Sequence, residues 1–324
     1  MLETELFNIK SDEDFKSLAL EIFRFQHKNV PVYRQFCNLL NTNVSKVKTI
    51  EDIPYLPIQF FKSHRVIAEN LSEELIFTSS GTTGSSSSKH YVADLKLYEK
   101  SFQKTFQNQY GNPSNYTILA LLPSYLERNG SSLIYMVEAL IEKSNNPNNG
   151  FYLYEMEALI EKLEFVEGSG QKTILIGVSY ALLDLIEKKR FHLKNTIVME
   201  TGGMKGRRKE MIKEELHEIL KNGFGVNKIH SEYGMTELLS QAYSTGDGIF
   251  KCPPWMRVIT RNTEDALSYT FGKTGGINVI DLANLYSCSF IATQDLGKTF
   301  PDGTFEVLGR FDFSDIRGCN LMVL

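Results

Sequence analysis

Apolar residues along this chain recur in two rhythms. Short β-branched and aliphatic runs at residues 116–122, 173–177 and 195–199 are too brief for helices and predict strands buried on both faces. Between them, residues 181–190 carry an apolar stripe with a basic last turn. Residues 209–221 repeat that design before Asn222 and Gly223, which predict its end. Strands alternating with helices predict a largely parallel sheet covered on both faces, an α/β fold. Ahead of it, residues 13–28 and 31–41 predict two helices, followed by the proline-punctuated stretch 53–57. Beyond residue 240 the helical period fades, and glycine-bounded strands at 276–280 and 304–308 take over. The expected division is therefore residues 1–240, a helical preface plus an α/β unit, and residues 241–324, a smaller, mainly β unit ending in a short tail.

Composition narrows the ligands. The 324 residues hold 35 Lys+Arg against 39 Asp+Glu, a formal charge of -4. A mildly acidic surface gives no field to draw nucleic acid or anionic lipid, so a small molecule is the expected ligand. The first ten residues include two glutamates and no apolar core of signal-peptide length. The strongly apolar run 118–122 stops at Pro123, far short of the roughly 20 residues a membrane span needs. Cys37, Cys252, Cys288 and Cys319 form no close pair, so neither a zinc site nor a disulfide framework is predicted and a reducing, cytoplasmic setting is expected.

The sharpest local signal is the hydroxyl- and glycine-rich stretch Thr78, Ser79, Ser80, Gly81, Thr82, Thr83, Gly84, which runs on through four serines to Lys89. Glycines let successive N–H groups converge on an anion, hydroxyls add donors, and Lys89 adds charge, which together suit a triphosphate. A flexible solvated linker has the same composition, but linkers rarely abut an apolar strand end such as Leu75, Ile76, Phe77. The nucleoside-triphosphatase loop is not matched, because the residue five after Gly81 is Ser86.

This stretch resembles the phosphate loop of the adenylate-forming superfamily, which includes acyl-CoA synthetases and peptide-synthetase adenylation domains. Other landmarks follow in the superfamily's order: Tyr233, Gly234, Met235, Thr236, Glu237; then Thr293, Gln294, Asp295, Leu296, Gly297; then Gly309, Arg310, Phe311, Asp312. The glycine-rich turn of residues 199–206, with Gly202 and Gly203, stands where the superfamily has a turn lying along adenine. Within the superfamily the chain is most similar to the acyl-protein synthetase subunit of bacterial luciferase fatty-acid reductase, and next to phenylacetate-CoA ligases, on segments 56–62, 122–133 and 252–258.

The resemblance implies the layered sheets and helices of the superfamily's large N-terminal domain, with ATP and Mg²⁺ as cofactors. Tyr233 would face adenine, Glu237 would offer a hard oxygen to Mg²⁺, Asp295 would accept the ribose hydroxyls and Arg310 would contact the ribose. Asp312 matches the hinge before a mobile C-terminal domain. The sequence ends at Leu324, shortly after Arg310, so that domain and its lysine are expected to be absent. Adenylation is then expected to depend on the phosphate loop, Lys89 and Mg²⁺ held by Glu237, or on a lysine that the sequence does not identify. Cys319 stands where acyl-protein synthetases carry an acyl-accepting cysteine, and Arg317 beside it would favour the thiolate. The expected reaction is activation of a fatty or aromatic acid to acyl-AMP and transfer to Cys319, with an acyl-accepting reductase or carrier as partner, or transfer to CoA instead. Two rivals remain: a hydrolase using Ser179, in a strand-to-helix turn resembling a nucleophile elbow, and a nucleotide-binding protein without catalysis.

Overall fold

The computed structural model describes residues 2–79, 87–123, 130–203, 208–209, 211–265 and 268–311. After a short helix at Leu2–Glu5, the helical preface runs into a long helix at Asp12–Asn29. Ser11 caps it, accepting from the Asp14 amide at 3.1 Å while the Asp14 carboxylate accepts from the Ser11 amide at 3.0 Å, so two otherwise orphaned donors are satisfied. Its apolar stripe of Phe15, Leu18, Ala19, Ile22 and Phe23 is buried. Pro31, whose missing N–H costs nothing in a first turn, opens the next helix, Pro31–Leu39.

The strands, in chain order, are β1 Leu56–Pro57, β2 Leu75–Thr78, β3 Lys89–Val92, β4 Thr117–Leu121, β5 Gly150–Tyr152, β6 Thr173–Val178, β7 Thr196–Thr201, β8 His230–Tyr233, β9 Ala242–Ser244, β10 Ile249–Lys251, β11 Met256–Arg261, β12 Tyr269–Thr270, β13 Gly275–Asp281, β14 Phe290–Thr299 and β15 Phe305–Arg310. β2 and β3 form a separate antiparallel hairpin. The rest make one sheet in the order β12-β11-β13-β14-β15-β10-β9-β8-β7-β6-β4-β5, with β1 added to β14.

Apart from β1 beside β14, only the stretch β5-β4-β6-β7-β8 is parallel among the described strands. From β8 onward each step of that order is antiparallel. The expectation of a largely parallel sheet therefore holds for the part made before Tyr233. Beyond it, connections as short as that between β9 and β10 leave no room for a crossover helix, so neighbours must run antiparallel. The sheet is continuous across residue 240.

Two local expectations differ from the structure. The helix expected to stop at Asn222 and Gly223 runs Lys213–Phe224 and ends at Gly225, which takes the left-handed conformation at φ 66°. Gly223 stays helical because it faces Ile186 of the helix Ser179–Lys188; a Cβ there would lie 2.5 Å from Ile186 Cδ1. Close helix packing, and not termination, is its role. Leu56–Pro57 is a parallel strand beside Ile291 and Ala292, which the proline punctuation concealed.

Candidate active site

β2 and β3 pair from Leu75 opposite Val92 to Thr78 opposite Lys89. Past them, the Ser79 amide donates to Ser88 O at 3.1 Å and the Ser88 amide to Ser79 Oγ at 2.8 Å, while Gly130 O accepts from the Thr78 amide at 2.8 Å. The base of the hydroxyl-rich loop is thus held by its own ends. Ser80, Gly81, Thr82, Thr83 and Gly84 lie outside the described residues, as do Asp312 and Cys319. Lys89 is exposed at the hairpin end; Ser88 is buried.

The buried arm of this hairpin meets the segment after β8. His90, fully buried, has Nδ1 2.8 Å from Thr236 O and Nε2 2.9 Å from Asn284 Oδ1. Thr236 O can only accept, so Nδ1 carries the proton; Asn284 Oδ1, its amide nitrogen committed to Glu237 O, accepts from Nε2 when the ring is charged. Burial pushes the imidazole down to about 4, against both hydrogen bonds. Asn284 Nδ2 donates to Glu237 O at 2.7 Å. The Glu237 side chain, 5% exposed, meets Ser88: burial pushes its carboxyl above the usual glutamate range, opposed by the Ser88 hydrogen bond and by the positive charges of Arg310 and Lys62. Loop base and Glu237, far apart in sequence, therefore share one corner.

A second group sits where β8, β14 and β15 converge. Tyr233 donates its hydroxyl to Asp295 Oδ2 at 2.8 Å, and Arg310 Nε donates to Asp295 Oδ1 at 3.0 Å. Asp295 and Arg310 face each other across the β14–β15 pairing, just before a register shift at Leu296/Gly297. Asp295 is 6% exposed and the Arg310 side chain 80%, so the guanidinium lies at the surface over a buried carboxylate. The Tyr233 ring is 8% exposed and packs edge-on against Phe250 and Phe305, with centroids 5.9 and 5.4 Å away. Gly234 leaves β8 tightly: a Cβ would meet Glu232 Oε1 at 2.4 Å.

Gly202 and Gly203 follow β7, Gly202 at φ 69°. Ser179 donates to Gly202 O at 2.7 Å and to Glu200 Oε2 at 3.2 Å. The serine of the elbow-like turn is thereby committed to bracing the glycine turn. Beneath it lies a buried charged cluster. Burial would raise the Glu200 carboxyl, but Lys213 Nζ at 2.7 Å, His217 and Ser231 outweigh it and hold it at about 2. Glu232 accepts from Thr201 Oγ1 at 2.5 Å, yet burial and the neighbouring Glu200 charge push it up to about 7. His230 is bound to the Tyr110 hydroxyl at 3.1 Å, on the face of β8 opposite Tyr233. Sequence reasoning did not single out Ser88 within the serine run and passed over His90, Asp281 and Asn284 as site residues. An acidic residue and an amide three apart at a strand end is the one local signal that could have marked the pair Asp281 and Asn284.

Among the described residues no group of three or more His, Cys, Asp or Glu is placed to hold a metal, and no helix is long and apolar enough to cross a membrane. Cys37 and Cys288 are fully buried, and burial pushes the Cys37 and Cys252 thiols up to about 12.

No protein-family model matches the chain. The long-chain-fatty-acid–luciferin-component ligase of Photorhabdus luminescens is 39% identical over 70 residues, which cover 21% of this chain. The chain spans 60% of that relative's length. Among solved structures, 2-hydroxyisobutyryl-CoA ligase in an open conformation, in complex with 2-HIB-AMP and CoA, superposes with a TM-score of 0.70 at 12% identity, over 93% of this chain and 70% of that one. ATP-bound MatB from Rhodopseudomonas palustris does so with a TM-score of 0.56 at 17% identity, over 72% of this chain and 47% of that one. At these identities the likeness is one of fold.

Proposed function

We propose, for a chain whose fold is that of the adenylate-forming acyl-CoA ligases, that it activates a carboxylic acid, a fatty acid in our reading, with ATP. A carboxylate oxygen attacks the α-phosphorus, the bond to the bridging oxygen breaks, and pyrophosphate leaves with the electron pair. The carrying observation is the convergence of the hydroxyl-rich hairpin with Glu237, beside the cluster Tyr233, Asp295 and Arg310.

In this reading the loop Thr78 to Gly84 and Lys89 bind the phosphates, and Thr236, Gly234 and the turn Gly202–Gly203 line the nucleotide. Asp295 exchanges one or both of its present partners for the ribose hydroxyls, and the freed Arg310 swings to the sugar. A buried carboxylate that already accepts two hydrogen bonds is preorganised for two hydroxyls. Tyr233 meets the base by an edge or after a ring shift, since Phe250 and Phe305 flank it. Mg²⁺ fits Glu237: it commonly takes one or two carboxylates and fills its shell with water and phosphate oxygens. When bound it supplies neutralising charge at the phosphates. Glu237 would hold it, with Ser88 orienting the carboxylate.

The acceptor we propose is Cys319. Its thiolate attacks the acyl carbonyl, the acyl–oxygen bond to AMP breaks, and AMP departs, leaving a thioester. Delivery to CoA is the second reading, supported by the CoA bound in the 2-hydroxyisobutyryl-CoA ligase structure. Exchange of labelled pyrophosphate into ATP, measured with a panel of fatty and aromatic acids, tests the first step; exchange with none of them refutes it. Intact mass after ATP and acid, then neutral hydroxylamine, tests the second. Acyl-protein lost in Cys319→Ser supports the cysteine, and CoA-dependent AMP release from unlabelled protein supports CoA.

A further inference from the structure

The segment from Met235 to Gln241 has no regular secondary structure, so its main-chain polar groups need partners from elsewhere. They find them in side chains. Asp281, the last residue of β13, accepts from the Leu239 amide at 2.7 Å and the Ser240 amide at 3.0 Å through Oδ2, and from Ser240 Oγ at 2.5 Å through Oδ1. Asn284, one turn on, donates to Glu237 O. His90 donates to Thr236 O. All three side chains are fully buried.

We propose that Asp281, Asn284 and His90 form a positioning clamp that holds the irregular segment by its main chain and so fixes the Glu237 carboxylate against Ser88. None of the three has to touch substrate. The division of labour is visible in the chain: residues 236, 237, 239 and 240 are each gripped at the backbone, and the Glu237 side chain alone is left to face the loop base. The clamp is itself braced. Asn284 N donates to Asp281 O at 3.0 Å, closing a turn that sets the two side chains side by side. Gln26 of the preface helix donates to Asn284 O at 2.9 Å. Phe61 packs edge-on against the His90 ring at 5.6 Å. Because His90 follows Ser88 and Lys89 on the hairpin, the same contact that holds Thr236 also fixes where the loop base sits relative to Glu237.

The consequence for metal is direct, and that part rests on the function proposed above. Loosening the backbone at residue 237 lets the carboxylate leave Ser88 and relax toward water, which weakens a metal ion shared with ATP phosphates without removing any group that holds the nucleotide. Asn284→Ala deletes the grip on Glu237 O and the contact with His90 Nε2, while Glu237, Asp295 and the loop residues keep their side chains. Mn²⁺ serves as the probe, read by electron paramagnetic resonance with ATP bound. We expect about a tenfold loss of Mn²⁺ affinity in Asn284→Ala, less than about a twofold change in metal-free ATP affinity, and faster amide exchange confined to residues 235–241. Thr196→Val, which removes the hydrogen bond of 2.9 Å to Glu167 Oε2 at the start of β7, is expected to lower the melting temperature and leave Mn²⁺ affinity unchanged. If the alanine variant does not fold, Asn284→Thr, offering one hydrogen bond in place of two, carries the same test.

A second readout separates this proposal from the function it rests on. Amide exchange is that readout: faster exchange confined to residues 235–241 in Asn284→Ala is expected whether or not the protein binds ATP. Unchanged exchange at 235–241 in a folded variant overturns the clamp. Faster exchange there with no ATP binding by the native protein leaves the clamp standing and removes the ligase.

Discussion

Glu232 supplies a stability prediction that needs no substrate. Its carboxyl is buried, accepts from Thr201 Oγ1, and is pushed from the ordinary 4.5 up to about 7 by burial and by the Glu200 charge. A group whose folded value is raised contributes stability that is complete below its unfolded value and is lost as pH climbs through its folded value. At about 1.36 kcal/mol per unit, a shift from 4.5 to about 7 is worth roughly 3 kcal/mol in all. Between pH 5.5 and 8.5 the portion lost is about 2 kcal/mol. Glu232→Gln is neutral throughout and keeps the shape. Urea unfolding followed by the fluorescence of Trp255, the single, buried tryptophan, at several pH values in that window reads both proteins. The difference, native minus variant, should fall by about 2 kcal/mol from the acid to the alkaline end. Parallel curves would show that Glu232 is ionised throughout and refute the reasoning.

Other consequences follow from the same packing. Lys213→Met leaves the buried Glu200 carboxylate without its nearest cation; since Lys213 is a quarter exposed, the cost should be about 2–3 kcal/mol by urea unfolding. Gly223→Leu forces a side chain into Ile186 and should cost about 1–3 kcal/mol; a neutral or stabilising result means the two helices separate there freely. Asp295→Ala should raise the KM for ATP in pyrophosphate exchange by roughly tenfold or more, since two hydrogen bonds to a charged group are lost. An unchanged KM would take Asp295 out of the nucleotide site.

Much of the framework was legible because burial leaves a periodic trace. The runs at 116–122, 173–177 and 195–199 are β4, β6 and β7, with bounds displaced by a residue or two, and the two long preface helices start at the plain signals Ser11 and Pro31. What escaped was tertiary in origin. Gly223 reads as a stop signal until Ile186 is seen against it, and Leu56–Pro57 becomes a strand only because β14 offers an edge. The candidate site divides along the same line. Tyr233, Asp295 and Arg310 were named from motif resemblance, and the geometry adds that they already bind one another. Ser88 was only one of four serines in the flagged stretch and Asn284 was invisible, because nothing near them in sequence announces that their partners lie on segments made far earlier or later. The hydroxyl-rich loop and Cys319 remain known by their chemistry alone.

The parallel addition of β1 to β14 has a temporal meaning. Leu56 and Pro57 leave the ribosome long before Ile291 and Ala292, the residues they lie beside, and Gln26 waits equally long for Asn284, Leu285 and Ser289. Closing so wide a loop is entropically late and kinetically slow. During synthesis the preface helices must therefore persist with an uncovered apolar stripe, a natural client for a holding chaperone. Nascent chains stalled before residue 281 should lack the clamp altogether, so that competence appears abruptly once that stretch emerges and not by degrees.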